Sequence, residues 1–137
     1  MKKFFIIFIT AWLLNVAWEN LHAGLYAHHQ GGEITEFMLL RAAVTDAGLI
    51  LAGIYLSYQL PRRFQMWFVI VIGFIMGVAM EYWALRTGRW AYASAMPIVP
   101  VLHTGLSPTV QLAISGLVSY LITERWCKEK VVREVKK

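Results

Sequence analysis

The sequence predicts an all-α integral membrane protein: a four-helix bundle with a long aromatic cap segment between its third and fourth helices. Three observations point there. Hydrophobic residues make up 58% of the 137-residue chain and charged residues 15%, too apolar for a soluble domain that must cover its surface with polar groups. The apolar residues come in blocks long enough to cross a bilayer core, which takes about 20 residues of helix. The basic residues gather at the ends of those blocks, mostly on one side.

The first helix is expected from Phe4 to Ala27. Its opening, Met1-Lys2-Lys3 before an apolar run, also fits a signal peptide with a cleavage point after Ala23. The length of the run and its polar stripe favour a retained span. The second helix runs from Phe37 to Leu60, where Pro61, Arg62 and Arg63 stop it, and the third from Met66 to Leu85. Apolar residues resume at Ile98, but Pro97, Pro100, Gly105 and Pro108 interrupt them. The fourth helix is therefore expected from Pro108 to Trp126, with Ser107 as its N-cap and Pro108 in its first turn. Between Arg86 and Ser107 lies a long connection rich in Trp90, Tyr92, Met96, Ile98, Val99, Val101 and Leu102. So apolar a segment should fold back over the helix ends, as a cap or a shallow re-entrant stretch, buried in protein or lining a cavity. Residues 1–127 then form one transmembrane domain and 128–137 a charged tail.

Orientation follows from the basic residues. Lys2, Lys3, Arg62, Arg63, Arg125, Lys128, Lys130, Arg133, Lys136 and Lys137 fall on one side; Arg86 and Arg89 fall on the other, and Arg41 lies within the second helix. This bias places both termini in the cytoplasm, in a bacterial-type plasma membrane, with the His28–Glu36 loop and the cap outside. The net charge of +5 does not indicate nucleic acid, because the basic residues flank apolar blocks instead of forming one patch with interleaved aromatics. The single cysteine, Cys127, cannot form an intrachain disulfide.

The first helix carries Trp12, Asn15, Glu19, His22 and Tyr26 at spacings of three and four, so all five share one face. The second helix holds Asp46, with Arg41 five residues earlier and about 140° round the axis. The third holds Gly73, Gly77 and Glu81 on one face, whose glycines allow a close helix approach. The fourth carries Ser107, Gln111, Ser115 and Ser119 on a drifting stripe. At about 1.5 Å per residue, Glu19 and Glu81 lie at a similar height and Asp46 near them, toward the outer face. Four elements thus converge on one outer polar cluster. We take Glu19, Glu81, Asp46 and His22 as candidate acid–base groups, and Asn15, Tyr26, Arg41, Arg86, Trp90, Tyr92, His103 and Gln111 as candidate ligand-binding residues. Val16-Ala17-Trp18-Glu19 also echoes Val78-Ala79-Met80-Glu81, as two related helical hairpins would.

Other readings of the same residues exist. Glu19, Asp46 and Glu81 could pair with Arg41 and Arg86 in a non-enzymatic subunit whose Gly73 and Gly77 dock a partner helix or a second copy. Glu19-x-x-His22 is one half of a di-metal helix motif; Asp46, Glu81 and His103 could complete a single site. Haem between His22 and His103 is a further arrangement. We assign no metal site, and the cofactor is unknown.

From Glu81 to Gln111 the chain resembles the membrane-embedded lycopene cyclase domain and related carotenoid-modifying proteins. The resemblance rests on Glu81 near a helix end, the turn Gly88-Arg89-Trp90-Ala91-Tyr92, and Gly105-Leu106-Ser107-Pro108 before the last helix. Where those families continue with paired carboxylates, this chain has Thr109, Val110 and Gln111. The resemblance implies an isoprenoid-like lipid as partner, entering sideways from the bilayer and protonated by a buried carboxylic acid.

Overall fold

A computed structural model describes residues 2–135, with side chains through Cys127. Four helices dominate: α1 (Lys2–His22), α2 (Glu36–Ser57), α3 (Arg62–Arg86) and α4 (Leu106–Val135). All four contain a stretch long and apolar enough to cross a membrane, ending at Cys127 in α4. Side chains of the expected charged tail, 128–137, lie outside the described residues, but the backbone of α4 runs on to Val135 without a break.

The chain is not purely helical. β1 (Tyr26–His29) pairs antiparallel with β2 (Trp90–Tyr92), and β3 (Ile98–Val99) with β4 (Thr104–Gly105). The expected first helix therefore ends five residues early. After His22 it tightens into a 3₁₀ turn, Ala23–Leu25, and Tyr26 leaves in an extended conformation to meet Tyr92. Pairing with the cap takes up backbone groups that a helix would have bonded internally. The cap is thus shared by two connections, not supplied by one.

The other boundaries have local causes. Thr35 caps α2, its side chain accepting from Met38 N. Pro61 precedes α3, which starts at Arg62, four residues before the expected Met66. After Thr87, Gly88 takes a φ of 65° and turns the chain away, a conformation glycine adopts without steric cost. α4 starts at Leu106, so Ser107 lies in its first turn instead of capping it from outside.

Gly73 and Gly77 set the α3–α4 contact. A Cβ on Gly73 would lie 2.8 Å from the backbone of Ala113, and one on Gly77 2.9 Å from Thr109 O. The face expected to receive a partner helix is therefore filled by α4 of the same chain, and a partner there would have to displace it.

The outer face of the bundle is largely apolar, and its interior holds polar as well as apolar side chains. Asn15, His22, Ser57, Glu81, Gln111, Ser115, Ser119 and Thr123 are buried, whereas Phe5, Leu21, Phe37, Trp67 and Trp126 are exposed. Ser115 and Ser119 donate to carbonyls one turn back in α4. An apolar core of Ile7, Ala11, Ala47, Ile50, Ile54, Val69, Leu112 and Tyr120 fills the middle. At the end bearing the N-terminus, Glu124 of α4 ties three helices together. It accepts from Lys3 Nζ at 2.7 Å, Arg62 Nη2 at 3.1 Å and Tyr58 OH at 3.3 Å.

Candidate functional site

The polar cluster is built around the side-chain amide of Gln111, one turn into α4. Its Nε2 lies 3.0 Å from Asn15 Oδ1, 2.7 Å from Glu19 Oε1 and 2.9 Å from Asp46 Oδ2. Residues from α1, α2 and α4 meet at one nitrogen. The orientation of Asn15 is set by its own amide, which donates to Ala11 O at 2.8 Å and leaves Oδ1 facing Gln111. An amide nitrogen carries two protons, and three oxygens surround this one. The amide can therefore donate to two of the three at a time.

His22, one turn above Glu19, extends the network. Its Nε2 is 3.2 Å from Glu19 Oε2 and its Nδ1 2.8 Å from Ser107 Oγ. Ser107 also accepts from Trp18 Nε1 at 3.1 Å. One consistent assignment has Nε2–H donating to the carboxylate and Nδ1 accepting from the serine hydroxyl, which fixes the imidazole tautomer.

The second half of the cluster surrounds Glu81. Its carboxylate accepts from Tyr26 OH at 3.3 Å, from Trp90 Nε1 at 3.3 Å and from Tyr92 OH. Tyr92 is held in turn by the backbone N–H of Gly105, which donates to the phenol oxygen at 2.7 Å. The β1–β2 ribbon explains this convergence. Tyr26 and Tyr92 are register partners, so pairing the strands presents both phenols to one carboxylate. Burial first, and then the negative charge of Glu81, pushes the Tyr26 phenol above its ordinary range. Burial and its hydrogen bond to Glu81 do the same for Tyr92. Both phenols therefore stay protonated as donors.

His22 and Tyr26 join the halves. Their rings meet edge to face at 5.3 Å, and Tyr26 also packs against Trp90 and Tyr92. The sequence of contacts runs Asp46, Gln111, Glu19, His22, Tyr26, Glu81, with Trp90 and Tyr92 closing it.

Nine expected site residues are thus brought together: Asn15, Glu19, His22, Tyr26, Asp46, Glu81, Trp90, Tyr92 and Gln111. Three are not. Arg41 is exposed, its guanidinium 6.0 Å from the Phe37 ring centroid. It lies five residues from Asp46, so it points away from the bundle. Arg86 is exposed at the end of α3, over the Tyr82 ring. His103 is exposed on the cap. The expected pairing of the carboxylates with Arg41 and Arg86 is not formed. Among the described residues the ion pairs join Glu124 to Lys3 and Arg62, and Glu19 to His22 when that ring is protonated.

Among the described residues no three His, Cys, Asp or Glu groups are placed to hold a metal ion.

Trp18 and Gly105 join the site without having been expected there, and Ser107, expected on the polar stripe of the fourth helix, joins it as the partner of His22 and Trp18. Trp18 had no polar stripe to mark it. The backbone N–H of Gly105 has no side-chain signal at all. Two concavities lie elsewhere: one between α2, α3 and α4 beside Gly53, Gly73 and Gly116, the other beside Tyr82, Leu85, Arg86 and His103. No protein-family model, curated protein or solved structure matches this chain.

Proposed function

We propose that this chain is an integral membrane protein whose polar cluster is an acid–base site for an isoprenoid-like lipid. Membrane placement is supported by the apolar outer face. A bundle with large apolar groups outside and buried polar groups that mostly hydrogen-bond to one another or to the backbone inside suits a hydrocarbon solvent, where polar groups are satisfied internally. Four spans put both termini on one side, and the basic residues make that side cytoplasmic.

The acid–base reading rests on one observation. Glu19, Asp46 and Glu81 arrive from three helices, and their hydrogen-bond donors are an amide, an imidazole, an indole and two phenols. A carboxylate at the centre of a membrane helix costs about 2.5–3.5 kcal/mol on insertion scales, and less toward its ends, whereas an interhelical hydrogen bond returns about 0.6 kcal/mol. Three such groups are an expensive way to hold helices together, and a proton-transfer site gives them a use. In the proposed chemistry Glu19 and Asp46 share one carboxyl proton, which passes to a carbon–carbon double bond, the O–H bond breaking as a C–H bond forms. Glu81 takes a proton from a neighbouring carbon of the resulting cation. Tyr26, Trp90 and Tyr92 orient Glu81 and exclude water. The resemblance over Glu81–Gln111 supports the choice of an isoprenoid-like substrate.

The test is mass spectrometry of lipids extracted from cells making the protein and of lipids that co-purify with it in mild detergent. Glu19→Gln and Glu81→Gln should each lower conversion by about 100-fold or more. Unchanged lipid profiles in both variants would refute the assignment.

A second reading, a non-enzymatic membrane subunit, is favoured by one fact: neither concavity is lined by Glu19, Asp46 or Glu81. It predicts that single carboxylate variants change stability and leave the lipids of the cell unaltered.

A further inference from the structure

Arg86 and His103 stand apart from the carboxylates and define a place of their own. Arg86 ends α3, and His103 lies between β3 and β4. With Tyr82 and Leu85 they line an open cleft of about 230 Å³. Neither takes part in an ion pair among the described residues. The Arg86 guanidinium lies 5.4 Å from the Tyr82 ring centroid, a contact that steadies the side chain and leaves its edge N–H groups free to donate. His103 has a φ of 53°, left-handed backbone that histidine enters more readily than most residues but still at a cost. Such strain concentrates where a side chain must be presented to a ligand.

An apolar track leads to the cleft. Val71, Ile75, Ala79 and Tyr82 are all exposed, and their spacings of four, four and three put them on one face of α3. Arg86, four residues on, heads the same stripe. Beside the cleft, Val101 is 87% exposed, as an apolar tip in the membrane interface would be.

The geometry points to a binding site for a phosphate-headed amphiphile, with the phosphate seated on Arg86 and His103 and its chain lying along Val71–Tyr82. The guanidinium fork matches phosphate oxygens two at a time, and the imidazole supplies a further N–H. Glu81 lies about 140° round α3 from Arg86, so this site and the carboxylate cluster occupy different faces and neither depends on the other.

Binding of dioctanoyl phosphatidic acid to the full chain in mild non-ionic detergent tests the proposal, with dioctanoylglycerol and inorganic phosphate as separate arms. Phosphatidic acid should bind at least about tenfold tighter than either, since each lacks half of what the site recognises. Arg86→Gln should weaken it by about tenfold, the loss expected of one charge-assisted contact, and His103→Gln by a smaller factor. Both positions are exposed, and unchanged melting curves will show that the variants fold. Equal binding by wild type and an Arg86→Gln/His103→Gln double variant overturns the site. Phosphatidic acid binding no tighter than dioctanoylglycerol overturns the head-group seat. Inorganic phosphate binding as tightly as phosphatidic acid overturns the role of the apolar track.

Discussion

Gln111 is the residue on which most of the site geometry depends, because its amide is the shared donor to Asn15, Glu19 and Asp46. Replacing it with methionine keeps the volume and removes both protons. Two of the three surrounding oxygens then lose a donor, and Gln111→Met should destabilise the protein by about 2–4 kcal/mol in detergent unfolding. Asp46→Asn should cost less than about 1 kcal/mol, since the new amide can itself donate to Glu19. The tyrosines give a pH signature. Burial raises Tyr26, Tyr58 and Tyr92 above the ordinary phenol range, so the folded state holds these protons more tightly than the unfolded chain. Their contribution to stability is complete below about pH 10 and is lost as pH rises through the higher folded values. Ultraviolet titration should show phenolate forming later in the native protein than in the denatured one. Most of these residues were legible in the sequence: Asn15, Glu19, His22 and Tyr26 recur at helical spacing, and Gln111 lies on the polar stripe of α4. Arg86 and His103 were not correctly placed, because a charge near a helix end does not reveal which way that end faces.

Among the elements, the helices were visible as apolar blocks, while their ends were not. α1 stops at His22 because Tyr26 pairs with Tyr92, a partner 66 positions away that no local pattern announces. Strands of two to four residues are likewise too short to show alternation. Glu124 is a related case: one of three acids in a basic helix end reads as surface, yet it ties α4 to α1 and α3 and to Tyr58 just past α2. The glycines of α3 were read correctly as a close-approach face, but the helix they admit is α4. Gly73→Val should therefore loosen the α3–α4 contact and lower stability by about 1–3 kcal/mol, the usual cost of overpacking. Gly48→Ala, where a Cβ meets nothing within 4 Å, should be neutral or stabilising by up to about 1 kcal/mol. Thermal unfolding of the two variants checks the contrast.

For the whole molecule, the proposed membrane placement requires four crossings with both ends on one side. The lone cysteine makes this measurable. A membrane-impermeant thiol reagent should label Cys127 only from the cytoplasmic side of intact membranes. A Cys127→Ser chain carrying Glu33→Cys, in the exposed loop before α2, should be labelled only from the opposite side. The proton inferred between Glu19 and Asp46 is the reagent on which the proposed chemistry turns, and infrared spectroscopy detects it directly through the carbonyl stretch of a protonated carboxyl group. At neutral pH the wild-type protein should show such a band, and it should disappear in Glu19→Gln and in Asp46→Asn. A wild-type spectrum with every carboxyl group ionised would contradict the account.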